Sequence, residues 1–242
     1  YTCLIRNPHW QPERLTHGRA DTCFLRDASG TEGKIHRTPM TKEEVREVSI
    51  CKLHLTENAV VYDIGSGTGS VAIEIAGVPG GVQVYAIERK PEAVELLRKN
   101  REHFRMDNIQ IIEAPAPEGL EELPVPTHAF IGGSGGRLLD ILQVLYRKNP
   151  HMRIVINAIS METIAELKEV LDTFPVEEEE ILQMQVSRVK KLLSYHLPQA
   201  ENPVWICSVT FRETGTDPMD NAKKTKQNAV EIGNGRNGEV QR

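Results

Sequence analysis

The sequence predicts an α/β domain built on a mostly parallel sheet with helices on both faces and an antiparallel hairpin at one edge, and three observations carry the prediction. Apolar runs at residues 60–64, 82–87, 109–113, 128–132 and 153–159 alternate with segments of helical periodicity. The first of these runs ends on Asp63 and passes into Gly65-Ser66-Gly67-Thr68-Gly69-Ser70, a glycine turn before a helix. The second, Tyr85-Ala86-Ile87-Glu88, also ends on an acid, 25 positions after Asp63. That is near the spacing at which a second-strand carboxylate meets ribose hydroxyls in nucleotide-binding sheets.

The chain opens on Tyr1, not methionine, and is expected to continue from a longer protein. Tyr1-Thr2-Cys3-Leu4-Ile5 reads as a short strand stopped by Asn7-Pro8. Residues 9–37 are polar and rich in Gly and Pro, a linker or wrapping segment whose apolar anchor is Cys23-Phe24-Leu25. A helix is expected after Pro39-Met40, with Thr41 and Glu44 as a capping box and Val45, Val48 and Leu53 on one stripe. Thr41 is then either a plain cap or part of a helix that closes over a ligand.

Beyond the glycine turn, Val71, Ile73, Ile75 and Ala76 carry the next helix. Pro91 opens another at a position that tolerates proline, with Ala93, Val94, Leu96 and Leu97 on its buried face. Residues 138–146 form a further helix, and Ser160 caps the one from Met161 to Leu171. The run Glu177–Glu180 is read as a solvated connection, and residues 181–189 and 203–211 as the closing β-segments. Residues 213–242 lack aromatics and are expected to be a disordered tail, so the domain proper spans 38–212.

Composition narrows the function. A net charge of −5, from 29 Lys and Arg against 34 Asp and Glu, disfavours an electrostatic nucleic-acid surface. No apolar run approaches the roughly 18 residues of a spanning helix, so no membrane role is expected. The four cysteines form no C-x-x-C pair and the eight histidines no H-x-x-x-H, so neither a metal site nor a disulfide framework is expected, and a reducing cytoplasm fits. Cys51 and Cys207 stand among apolar residues and read as core.

The ligand class follows from the glycine spacing. A dinucleotide fingerprint needs its third glycine at position 70, where this chain has Ser70, and a dehydrogenase is disfavoured. Asp63-Ile64-Gly65-Ser66-Gly67-Thr68-Gly69 instead resembles the first motif of class I S-adenosylmethionine (SAM) methyltransferases, Rossmann-like folds with a seven-stranded sheet. A third motif, Ile131-Gly132-Gly133-Ser134-Gly135-Gly136-Arg137, follows the fourth strand, where an acceptor should sit. Its glycines give a wide floor for a bulky or carboxylate-bearing acceptor, or simply a flexible loop.

Together, Pro39–Arg46, Asp63–Val71, Tyr85–Arg89, Phe130–Gly136 and Asn202-Pro203-Val204-Trp205 resemble the decarboxylating precorrin methyltransferase family, the carbon-15 methyltransferases of cobalt-precorrin-6B (precorrin-6Y in the aerobic route) in cobalamin synthesis. Asn7-Pro8, Thr16-His17-Gly18 and Phe24-Leu25-Arg26 look like the junction at which this domain is fused behind a carbon-5 methyltransferase domain. The resemblance implies that Thr41, Asp63, Gly65, Ser66, Gly67, Thr68, Gly69, Glu88 and Ala116 meet SAM, that a tetrapyrrole is the substrate, and that the enzyme is a homotetramer. The family's usual Gly-Asp/Glu-Ala-Pro reads Ala114-Pro115-Ala116-Pro117 here, so adenine contacts must come from backbone or Ala116. Gly132, Gly133, Ser134, Gly135 and Gly136 would face the substrate, and Arg137, Asn157 and Arg188, near strand ends, are either its carboxylate contacts or surface residues. Two rivals stay open: another class I methyltransferase with a protein or tRNA acceptor, and a binding module without catalysis.

Overall fold

The computed structural model describes residues 17–29, 35–215 and 218. The strand expected at Tyr1–Ile5 and nearly all of the expected tail lie outside the described residues. A short 3-10 turn, Asp21–Cys23, precedes a two-stranded antiparallel ribbon of β1 (Asp27–Ser29) and β2 (Ile35–Arg37). The core follows as α1 (Glu43–Leu53), β3 (Val60–Ile64), α2 (Ser70–Ala76), β4 (Gln83–Glu88), α3 (Pro91–His103), β5 (Ile109–Glu113), β6 (His128–Ile131), α4 (Leu138–Lys148), β7 (Arg153–Ala158) and α5 (Met161–Thr173). It ends in β8 (Val176–Met184), β9 (Ser187–Leu192), β10 (Tyr195–Ala200) and β11 (Val204–Phe211).

Seven strands form the main sheet in the order β5-β4-β3-β6-β7-β11-β8. The first five are parallel, and β11 runs antiparallel to both β7 and β8. This is the predicted fold class: the chain winds outward from β3 to β5, then returns to the other side of β3 with β6 and β7. The direction of winding reverses between β3 and β6, and a crevice opens there past the strand carboxyl ends.

Successive side chains of a strand point to opposite faces, and the two cores separate accordingly. Tyr62 and Ile64, Ile131, Ile154 and Ile156 pack under α4 and α5, while Val61, Phe130 and Val155 pack under α1, α2 and α3. Strands covered on both sides read as continuous apolar runs, which is why β3, β6 and β7 are plain in the sequence.

Several local expectations are corrected. Thr41 and Glu44 do not form a capping box: Lys42 occupies the N-cap without a side-chain bond, and the Glu43 N–H donates to Asp21 Oδ1 at 3.0 Å. A carboxylate brought back by the preceding segment satisfies a donor that the local sequence seemed to cap. The Ser160 cap is present, its Oγ accepting from the Thr163 N–H at 3.2 Å. Glu177–Glu180 is not a connection but part of β8, an edge strand with one side open to water. Glu178 sits at φ +50° and the ladder to β11 slips between Ser208 and Thr210, so all four acids are exposed. Cys207 is buried, and burial raises its thiol to about 12. Cys51 is exposed, on the outer side of α1. Residues 187–200, partly unassigned in the sequence, make a separate two-stranded arm of β9 and β10.

The amino-terminal segment is bound into this frame by polar groups. Asn100 of α3 is fully buried; its Oδ1 accepts from Leu25 N–H at 2.8 Å, and its Nδ2 lies 3.0 Å from Leu25 O and 2.9 Å from Thr68 O. Phe24 packs on Phe104 with ring centroids 5.0 Å apart, and the buried Arg46 guanidinium lies 4.8 Å from the Phe24 ring centroid. Arg46 also faces Glu74, whose carboxylate accepts from the Arg19 backbone N–H at 2.6 Å and from Arg19 Nη1 at 2.8 Å.

Candidate active site

A cavity of about 740 Å³ occupies the crevice. Its floor is the turn after β3, where Gly65, Gly67 and Gly69 have φ of +73°, +57° and +79°. These values lie in the left-handed region open to glycine. The turn is pinned to β4 from below, with Gly65 and Ser66 N–H donating to Ile87 O at 3.0 and 3.1 Å. It is also packed directly on the loop after β6: a Cβ added at Gly65 would stand 2.6 Å from Gly133 O.

Two carboxylates flank the floor. Glu88 closes β4, and its Oε2 accepts from the Gly67 N–H at 2.9 Å while Oε1 accepts from Arg89 and Lys90 N–H at 2.9 and 3.0 Å. The side chain thus fixes the glycine turn to the next strand and keeps acceptor capacity facing the cavity. Asp63 is fully buried. Its Oδ2 accepts from Ser66 Oγ at 2.5 Å and from Ala72 N–H at 3.1 Å. Its Oδ1 has no hydrogen-bond partner among the described residues. Burial pushes the Asp63 carboxyl up to about 7; the bonds from Ser66 and Ala72 oppose the rise and the charge of Glu88 adds to it. A buried carboxylate oxygen without a donor is costly, which accords with the raised carboxyl.

Most residues singled out in the sequence converge here. Thr41, Asp63, Gly65, Ser66, Gly67, Glu88 and Ala116 line the cavity, as do Gly132, Gly133, Ser134, Gly135, Arg137 and Asn157. Thr68, Gly69, Gly136 and Arg188 do not. Gly69 is the N-cap of α2, and an added Cβ there would fall 2.1 Å from Leu97 Cδ1, so its place is set by helix packing. Arg188, on β9, lies 2.5 Å from Glu44 and 3.1 Å from Glu201 and joins the base of the arm to α1. Asn157 lines the cavity while its Nδ2 donates to Ser49 Oγ at 3.0 Å, tying β7 to α1. Arg137 is held at 2.5 Å by Glu118 and at 3.3 Å by Asp140.

The outer wall combines Thr38–Lys42 from the entry to α1, where Thr41 was expected, with Met184, Val186, Gln199, Glu201, Asn202 and Val204 from around the ends of β8, β10 and β11. Of this second group, the sequence singles out Asn202 and Val204, in a motif without an assigned task. Nothing in a local pattern says that the base of an arm folds back over a distant glycine turn.

A sheet of this order, with a glycine turn after the first core strand and a carboxylate at the end of the next, defines the chain as a class I methyltransferase fold. A SAM-dependent O-methyltransferase of Thermotoga maritima shares the fold at a TM-score of 0.62 and 16% identity over 74% of this chain and 69% of that one. The profile of the precorrin methyltransferase domain matches residues 35–210, and the chain belongs to that family. The probable cobalt-precorrin-6B C(15)-methyltransferase (decarboxylating) of Pyrobaculum calidifontis is 36% identical over 170 residues, 69% of this chain and 87% of that one. The Salmonella typhimurium cobalt-precorrin-6B C(15)-methyltransferase (decarboxylating) is 35% identical over 176 residues, 72% and 91%. Among solved structures, the precorrin-6y C5,15-methyltransferase of Geobacter metallireducens superposes with a TM-score of 0.70 at 34% identity, covering 80% of this chain and 98% of that one.

Proposed function

We propose that this methyltransferase uses SAM to methylate carbon 15 of cobalt-precorrin-6B, or of precorrin-6Y, with loss of carbon dioxide from the ring-C acetate, in the cytoplasmic synthesis of cobalamin. The observation that carries the reading is the joining of one cavity from the glycine turn of β3, the Glu88 carboxylate and the open Gly132–Gly135 loop. The residues present suit the cofactor: Glu88 offers acceptor oxygens for ribose hydroxyls, and the glycine turn, bare of side chains at Gly65 and Gly67, lets a ligand come close to its backbone. Ala114, Pro115 and Ala116 supply a small apolar wall for a planar base.

When bound, SAM supplies an electrophilic methyl group. The task of the chain is then orientation. Gly133 presents no side chain, and an added Cβ would meet nothing within 4 Å, so this loop leaves space for a large ring system beside the turn. Met40, Val45, Ile159, Met184 and Val204 line the cavity with apolar surface. Ser49 holds Asn157 by a 3.0 Å bond and fixes its amide at the cavity wall. An electron-rich ring carbon needs little help from a general base, and the cavity offers positioning groups rather than a nucleophile–base pair.

A homotetramer agrees with the exposed apolar side chains of the β9–β10 arm, where Val189, Leu192 and Leu193 are 63, 60 and 85% exposed. The functional test is calorimetry of SAM binding to the full chain and to Glu88→Ala, followed by turnover with the precorrin. Binding by the wild type, weakening of at least about tenfold in the variant, and methylation with one carbon dioxide released per methyl transferred are the expected results. SAM binding without reaction of the precorrin would overturn the substrate, and no SAM binding would overturn the cofactor.

A further inference from the structure

The cations around the cavity differ in whether their charge is already matched. Lys42 lies 3.5 Å from Asp21 and 4.0 Å from Glu201. Arg137 carries Glu118 and Asp140, and Arg188 stands outside the cavity between Glu44 and Glu201. Arg89 and Lys90 are different. Both line the cavity just past β4, are exposed, and have no acidic partner among the described residues; of the two, only the Arg89 head group is placed against the loop after β6. The acid beside Arg89 in sequence cannot neutralise it, because the Glu88 carboxylate is turned onto three backbone N–H groups, one of them Arg89's own.

The guanidinium has a defined seat. The Cβ position of Gly135 would lie 3.4, 3.5 and 3.6 Å from Arg89 Nη1, Cζ and Nη2, so the group rests against the backbone of the loop after β6. Gly135 has φ +62°, a conformation that L side chains rarely adopt, which keeps this contact free of a side chain. Gly135 and Arg89 both line the cavity, so the seat is on its wall. A rigid fork of N–H donors held against a backbone is suited to bidentate recognition of a carboxylate.

Resting on the proposed precorrin reading, the geometry points to Arg89 as the residue that selects the acceptor by receiving one of its peripheral acetate or propionate carboxylates. Arg137 and Arg188, which the sequence suggested for this part, are already paired. Arg89 is a binding and specificity residue; it takes no part in the bond changes at carbon 15.

The test separates this assignment from the assigned reaction. The wild-type chain, Arg89→Gln, Arg89→Lys and a remote charge control, Lys99→Gln on the outside of α3, are titrated with uroporphyrin III octacarboxylate, with its octa-amide and with SAM, and are then assayed for turnover of the precorrin. The wild type is expected to bind the octacarboxylate more tightly than the octa-amide. Arg89→Gln should weaken octacarboxylate binding about 10–100-fold, leave the octa-amide unchanged, keep the SAM dissociation constant within about twofold and raise the acceptor KM with little change in kcat. Arg89→Lys should recover part of the loss, and Lys99→Gln should behave as wild type. Equal loss of SAM affinity in Arg89→Gln, unchanged octacarboxylate binding, or no octacarboxylate binding by the wild type overturns the assignment. Arg89-dependent octacarboxylate binding without precorrin turnover supports the assignment and overturns the reaction.

Discussion

Replacing Gly65 by alanine tests whether the glycine turn and the loop after β6 are built against one another. The added Cβ would stand 2.6 Å from Gly133 O, 2.8 Å from Gly133 N and 3.0 Å from Gly133 Cα, all backbone atoms that cannot rotate away. Ordinary contact begins at 3.4 Å, so the two segments must part by roughly 0.8 Å. Alanine at φ +73° adds about 1–2 kcal/mol of left-handed strain. Overpacking of this kind costs about 1–3 kcal/mol more. The sum is about 2–5 kcal/mol, and a domain of this size should melt at least about 4 °C lower. Gly133→Ala is the matched control, because its Cβ would meet nothing within 4 Å. It should change stability by less than about 0.5 kcal/mol while placing a methyl group in the space proposed for the acceptor. Thermal and urea unfolding of both variants, with SAM calorimetry, decide the matter. A Gly65→Ala protein that melts with the wild type, or a Gly133→Ala protein destabilised as much as Gly65→Ala, would refute the packing argument.

Two further outcomes are expected. Because burial holds the Asp63 carboxyl near 7, above its unfolded value, its contribution to stability is complete below about pH 4 and is lost as pH rises through 7. Asp63→Asn removes this dependence, so urea unfolding should show the variant gaining on the wild type by up to about 4 kcal/mol between pH 4 and 7.5; a constant difference across that range would contradict the assignment of a buried, raised carboxyl. On the β9–β10 arm, Leu192→Glu puts a charge on an exposed apolar surface, and light scattering should show a smaller assembly with unchanged thermal unfolding of the monomer fold, whereas an unaltered mass would remove the arm from the interface.

The parallel core was legible because β3, β6 and β7 are buried on both faces, so their sequences are apolar without interruption. The glycine turn and Glu88 were legible because their chemistry is local: a positive φ and a strand-terminal acid leave their marks within a few residues. The expected cap at Thr41 misled because the donor it was meant to serve is satisfied by Asp21, 22 residues away from Glu43. Arg188 was offered as a substrate contact for the same reason: the sequence places it near a strand end, and only the three-dimensional placement of Glu44 and Glu201 shows that its charge is already matched. The β9–β10 arm was read only as far as Val189, because its residues are nearly all exposed and no buried face imposes alternation.

The position of β11 has a consequence for the order in which the protein is made. This strand is the last of the sheet to be synthesised, yet it lies between β7 and β8 and pairs with both. Until residues 204–211 leave the ribosome, β7 has one open edge and β8 has no strand to join. The parallel half of the sheet is complete in sequence by Ala158 and can collapse first. The cavity cannot, because Val204 belongs to its outer wall. The outer wall of the pocket is therefore finished only after the final strand slots into the gap, so the site is completed by the last step of sheet assembly and not by the collapse of the parallel half.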